Sequence, residues 1–158
     1  MTVIAPEDFK SHVRLTGSEN DEIVATILGA AEAAIAKRVG ALTSTSATYT
    51  VPAVCTSVVL PHTPVIAVSD PTGCTVNSEA GVVRLSTGFS ADQTITYTHG
   101  YAVLPADLRV AVLEMARHLW QSSQRAGKGG PVTAPLGGYA LPAGVSELIE
   151  PYMSLGFA

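Results

Sequence analysis

Charge is scarce in this chain: 14% of its 158 residues are Asp, Glu, Lys or Arg, against roughly 25% in an average soluble protein. Basic residues are the scarcer sign, nine Lys and Arg against thirteen Asp and Glu, for a formal net charge of −4. A protein that grips nucleic acid needs a basic footprint to displace counterions from phosphates, so the balance argues against that class. Disorder is excluded by the mean hydropathy of +0.32, because disordered chains combine low hydrophobicity with high net charge. No apolar run approaches the roughly 20 residues of a membrane-spanning helix; the best candidate, Ala25 to Ala36, is short and carries Glu32. The opening Met1-Thr2-Val3-Ile4-Ala5-Pro6-Glu7-Asp8 has neither the basic region nor the apolar core of a secretory signal. Cysteine is limited to Cys55 and Cys74, too few for a disulfide framework or a cysteine-built zinc site. They read as reduced, small apolar residues.

What is present is apolar: 47% of the residues are hydrophobic. The length fits one domain by the usual range of roughly 100–200 residues, enough to bury a core without staples. A chain this poor in charge has more apolar surface than a lone domain wants, which points to a subunit of an assembly.

Helical signals occupy the two ends. Pro6 to Leu15 reads as a short helix, with Pro6 suited to a first turn, Glu7 and Asp8 at the positive end of the dipole, and Gly17 beyond. Ser18-Glu19-Asn20-Asp21 resembles a capping box, and Val24, Leu28, Ala31, Ile35 and Val39 then recur at helical spacing up to a stop at Gly40. Pro105 opens a second long helix to about Arg125, carrying Leu108, Val112, Met115 and Leu119 on one face. Between the helices, over 42–103, Thr, Ser and Val dominate and the charged residues are Asp70, Glu79, Arg84 and Asp92. Short runs at Ala47–Val51, Thr56–Leu60, Val65–Val68, Val82–Leu85 and Thr94–Thr98 are separated by Pro, Gly and Asn turn signals. Residues 127–141 are too rich in Gly and Pro for a regular element, and Pro142 to about Tyr152 reads as a last short helix. The expected class is α+β: a helical core of two long helices plus short N- and C-terminal helices (1–41 and 104–126), an inserted small antiparallel β-module, and a Gly/Pro-rich loop with C-terminal segment at 127–158.

Catalytic chemistry finds little support. There is no Gly-x-Ser-x-Gly nucleophile elbow, and His12, His62, His99 and His118 fall in separate elements. His99 reads as a partly exposed turn residue and His118 as solvated. The acidic clusters Glu7/Asp8, Glu19/Asp21/Glu22 and Glu147/Glu150 are explained by helix dipoles and solvation rather than by paired acid–base work. Gly127-Lys128-Gly129 lacks the ending of a phosphate loop. No catalytic, cofactor-binding or metal-binding residue is expected, and no cofactor. The informative residues lie on the backs of the helices. Ala25, Gly29, Ala33 and Ala36 line a small-residue face where solvent-exposed helices carry Lys and Glu, and small residues permit close backbone approach. Arg109, Leu113, Arg117 and Trp120 form a second stripe of the residue types enriched in interface hot spots. Both are expected at subunit interfaces, the alternative being that the β-module covers them within one subunit.

The ordered set of signals resembles the head–tail connector (adaptor, or head-completion) proteins of long-tailed bacteriophages. It comprises Pro6-Glu7-Asp8-Phe9-Lys10-Ser11-His12-Val13-Arg14-Leu15, the acidic Glu19-Asn20-Asp21-Glu22, and Ala30-Ala31-Glu32-Ala33-Ala34-Ile35. Leu60-Pro61-His62-Thr63-Pro64-Val65, Ile95-Thr96-Tyr97-Thr98-His99-Gly100-Tyr101 and Leu104-Pro105-Ala106-Asp107-Leu108-Arg109-Val110-Ala111 follow, then Leu141-Pro142 through Pro151-Tyr152. The resemblance implies a non-enzymatic virion protein of the neck, assembled in the host cytoplasm into a ring, usually of twelve subunits. Its partners would be itself, the portal protein, a stopper or tail-terminator protein, and genomic DNA passing through the lumen without specific recognition, with no membrane involved. It implies a portal- or neighbour-docking role for the C-terminal segment, whose apolar residues are Leu141, Val145, Leu148, Ile149, Tyr152, Leu155 and Phe157. The strand-rich insert is longer than a minimal member of that family requires. The rival readings are another phage or cell-surface assembly module that binds through the β insert, and a small enzyme.

Overall fold

In a computed structural model, which describes residues 3–126 and 141–153, helices occupy both ends of the chain and strands the middle, as the α+β pattern predicts. The order is α1 (Pro6–Val13), α2 (Asp21–Val39), β1 (Thr45–Thr50), β2 (Cys55–Val59), β3 (Val65–Asp70), β4 (Thr75–Asn77), β5 (Val82–Phe89), β6 (Thr94–His99), α3 (Ala106–Ala126) and α4 (Ala143–Ile149), with a 3-10 turn at Glu150–Tyr152. Two compact units result: a helical one from the segments up to Val39 and from Pro105 onward, and a β unit, Gly40–Leu104.

In the helical unit, α1 begins at Pro6 and ends where Arg14 turns left-handed at φ 56°, earlier than Gly17. Ser18 lies outside α2: the helix starts at Asp21, and the Asn20 carbonyl accepts its first bond, from the Val24 N–H at 2.8 Å. Asp21 and Glu22 in the first turn and Lys37 and Arg38 in the last complement the dipole. The apolar face read from spacing is the one that packs: Val24, Leu28, Ala31 and Ile35 of α2 and Leu108, Val112 and Met115 of α3 are fully buried. The helices α2 and α3 pack on each other, α1 lies against both, and α4 seats on α3 and α2. Glu32 is drawn inward by the leading segment, its Oε1 accepting the backbone N–H groups of Val3 at 2.7 Å and Ile4 at 3.0 Å.

The β unit holds two three-stranded antiparallel sheets, ordered β1-β6-β3 and β2-β5-β4. Both contribute to one apolar cluster of Val51, Val58, Leu60, Val65, Val83, Phe89, Ile95 and Tyr97. Each such side chain taken from water is worth about 1.5–3 kcal/mol, so this unit has a core of its own. Gly100 closes β6 at φ +95°, where a Cβ would collide with the Thr43 carbonyl oxygen; only glycine combines that dihedral with that approach.

Candidate functional site

The small-residue face of α2 stands open within its unit. Ala25 and Ala33 are exposed and Gly29 and Ala36 half-buried. A Cβ added at Gly29 meets no atom within 4 Å, so packing inside this unit does not demand glycine there. Exposed Ile23 lies on the same helix, 49% accessible.

The stripe on α3 is partly occupied by α1. Arg109 Nη2 pairs with Asp8 Oδ2 at 2.8 Å. Glu114 joins two partners, Arg117 Nη2 at 2.9 Å and His12 Nε2 at 3.0 Å. Half-buried Trp120 meets buried Phe9 edge-on, with centroids 6.5 Å apart at 72°, and Leu113 is only 9% accessible. Trp120 therefore already serves the unit's own packing and Leu113 is buried, while both arginine side chains stay about half exposed, at 52% and 49%. Surface ion pairs of this kind contribute about 0–1 kcal/mol and leave an arginine available to a second partner.

The C-terminal candidates divide in the same way. Val145 and Ile149 are 1% and 0% accessible, which corrects the expectation that they are held free for docking: they fill the helical core from α4. Leu141, Leu148 and Tyr152 are half-buried, and the Tyr152 hydroxyl donates to Asp107 Oδ2 at 3.2 Å. Leu155, Phe157 and the 127–140 loop lie outside the described residues.

One constellation escaped the sequence reading. His99 is buried, 7% accessible, rather than partly exposed in a turn. Its ring stacks on His62 with centroids 4.6 Å apart and planes at 20°. His62 Nδ1 shares a 2.7 Å hydrogen bond with the Tyr97 hydroxyl, while His99 Nδ1 has no partner. Desolvation, and then the charge that His62 can carry, hold the His99 pKa below its ordinary 6.5. Burial raises that of Tyr97, against a lowering by the His62 hydrogen bond. His118, by contrast, is exposed as expected. The signal was present in Tyr97-Thr98-His99 alternation, which puts Tyr97 and His99 on one face, but the approach of His62 depends on how 61–64 folds back.

A shallow depression of about 420 Å³ on the second sheet is lined by Thr56, Ser57, Thr75, Arg84, Leu85 and Ser86, a set with no histidine, thiol or carboxylate to activate a hydroxyl. Among the described residues no three His, Cys, Asp or Glu side chains gather as a metal site. Cys55 and Cys74 are both free thiols. Among those residues, too, no helix is long and apolar enough to cross a membrane.

No protein-family model matches the chain, and no curated protein matches it in sequence. Solved structures do. A chain in the neck of an empty GTA (gene transfer agent) particle, computed with C6 symmetry, superposes with a TM-score of 0.70 at 20% identity, over 98% of this chain and 91% of that one. A chain in the neck of the native GTA particle, computed with C12 symmetry, superposes with a TM-score of 0.62 at 21% identity, over 100% and 96%. At such identity the shared property is the fold, and it spans helices and β unit alike.

Proposed function

We propose that this chain is a structural neck protein of a phage-like particle, forming a ring between the portal and the tail or stopper protein and extending the DNA conduit. The observation that carries the reading is the fold likeness to neck chains over essentially the full length of both proteins. The C12 symmetry of one of those necks agrees with a twelve-subunit ring. A cyclic ring uses two different patches of each subunit. The exposed α2 face (Ala25, Gly29, Ala33, Ala36) supplies one, and the α3 surface around Arg109 and Arg117 the other. The half-buried Leu141, Leu148 and Tyr152, with Leu155 and Phe157 beyond, contact the portal or a neighbour. The net charge of −4 suits a lumen through which DNA slides without cationic capture. The role involves no catalysis.

The test is assembly on the portal of the same particle, whose repeated sites raise the effective concentration of neighbouring subunits. Wild-type chain mixed with portal rings is expected to co-sediment as a complex, and the Ala33→Glu variant to stay unassembled while keeping its circular dichroism and melting transition. An Ala33→Glu chain that assembles normally removes the α2 face from the interface. A wild-type chain that never associates with portal contradicts the neck assignment.

A further inference from the structure

Four strands lie at sheet edges among the described residues, and natural edges are blunted by bulges, brevity, charge or cover because open backbone groups template further pairing. Two of the four are blunted. On β3 the register slips twice, between Val65 and Ala67 and between Val68 and Asp70, and Ser78 covers its start: the Val65 N–H donates to the Ser78 carbonyl at 2.9 Å and Ser78 Oγ donates to the Val65 carbonyl at 2.6 Å. The edge strand β4 has three residues. On β2 the register slips between Cys55 and Ser57, but its partner β5 carries the extra residues there, running from Phe89 to Arg84, so β2 itself is neither bulged nor, at five residues, as short as β4.

The edge strand β1 has no such device. Its six residues, Thr-Ser-Ala-Thr-Tyr-Thr, pair with β6 in one unbroken register from Thr45 opposite His99 to Thr50 opposite Thr94. The Val51 N–H donates to the Gln93 carbonyl at 2.9 Å, which fixes the parity. Odd-numbered residues of β1 turn their N–H and C=O toward β6, so Ser46, Thr48 and Thr50 turn theirs outward, where no described backbone group meets them. Their side chains are exposed as well. Between Arg38 and Asp70 the chain has no charged residue, so neither lysine nor carboxylate repels an incoming strand. Threonine and tyrosine favour extended pairing.

We propose that β1 is a ring interface in which it adds to its sheet a strand from the next copy of this chain, with β2 as that strand. The proposal rests on the neck reading and deepens it. Pairing of β1 with β1 is two-fold by symmetry, and a cyclic ring needs a head-to-tail contact. Of the other edges, β3 is covered at its start and β4 is too short. From Ser57 to Val59, β2 runs in register with β5; it is uncharged like β1, and beside it Val54 and Val59 stand 78% and 65% accessible. Apolar side chains that far out of the unit's own core fit a partner surface without charge. Backbone pairing supplies the affinity in strand addition, and the alternate side chains supply its choice of partner.

The experiment compares wild type, Thr48→Pro and Thr48→Lys for ring formation on portal, read by sedimentation, and for folding, read by melting of the free chain. Proline at 48 removes an outward N–H and no bond to β6, and edge strands accept it there; lysine puts the missing charge on the edge. Both variants are expected to melt as wild type does and to lose ring by about tenfold or more, and Val59→Lys is expected to match them. A folded Thr48→Lys chain that rings like wild type overturns the β1 contact. Rings lost by the Thr48 variants but kept by Val59→Lys overturn β2 as the mate. A wild-type chain that forms no ring removes the neck reading, and this proposal with it.

Discussion

Burial of His99 favours the neutral imidazole in the folded β unit. Its pKa in the fold lies below the ordinary 6.5, through desolvation first and the neighbouring His62 second. Below about pH 6.5 the unfolded chain therefore takes up protons that the folded chain resists, and the stability present above that value is lost as pH falls. Among the described residues no carboxylate is paired with His99: β1 has none, and Asp70 sits at the far end of β3 from the Val65–His99 pair. The protection of the β6 amides, their exchange measured against the unstructured rate at each pH, is expected to fall between about pH 7.5 and about pH 5.5, and the His99→Phe variant to show a smaller change. Equal acid sensitivity in wild type and His99→Phe would assign the effect elsewhere. Gly100 makes the complementary prediction for the backbone. Gly100→Ala places a methyl against the Thr43 carbonyl at positive φ, and a cost of about 1–3 kcal/mol should appear as a lower urea midpoint for the β unit. The sequence marks Gly100 as a strand terminator but does not reveal the His62–His99 stack. Those residues are far apart along the chain, and no local periodicity encodes their approach.

Helices and strands were legible where periodicity ran long. Both long helices, their apolar faces and five of the six strands follow from spacing and turn signals, while Thr75–Asn77 is too short to show an alternation. Occupation of the α3 stripe by α1 also escaped, because Phe9, Asp8 and His12 reach it only through tertiary packing. The clearest departure is α4. Gly and Pro before it suggested a segment held for a partner, yet Val145 and Ile149 are buried in the helical unit. Ile149→Ala is therefore expected to cost about 2–5 kcal/mol as a core truncation, measured by thermal unfolding followed through Trp120 fluorescence. Glu147→Ala, on the exposed side of the same helix, should stay within about 0.5 kcal/mol. If Ile149→Ala melts with the wild type, α4 is a docking arm and not a core helix.

The assembled chain is expected to meet DNA without holding it. With nine basic residues against thirteen acidic ones, retention on duplex DNA at physiological salt should be weak and independent of sequence. Tight retention with a steep salt dependence would contradict a conduit. Sparse charge, an open small-residue face on α2 and a fold shared with neck chains support the proposed arrangement, a closed ring of identical subunits. Electron-microscopic imaging of the chain bound to its portal tests that arrangement directly. The expected density is a closed cyclic ring coaxial with the portal, each copy meeting the next through two different patches. Monomers scattered on the portal, two-fold dimers, or no bound density would contradict it.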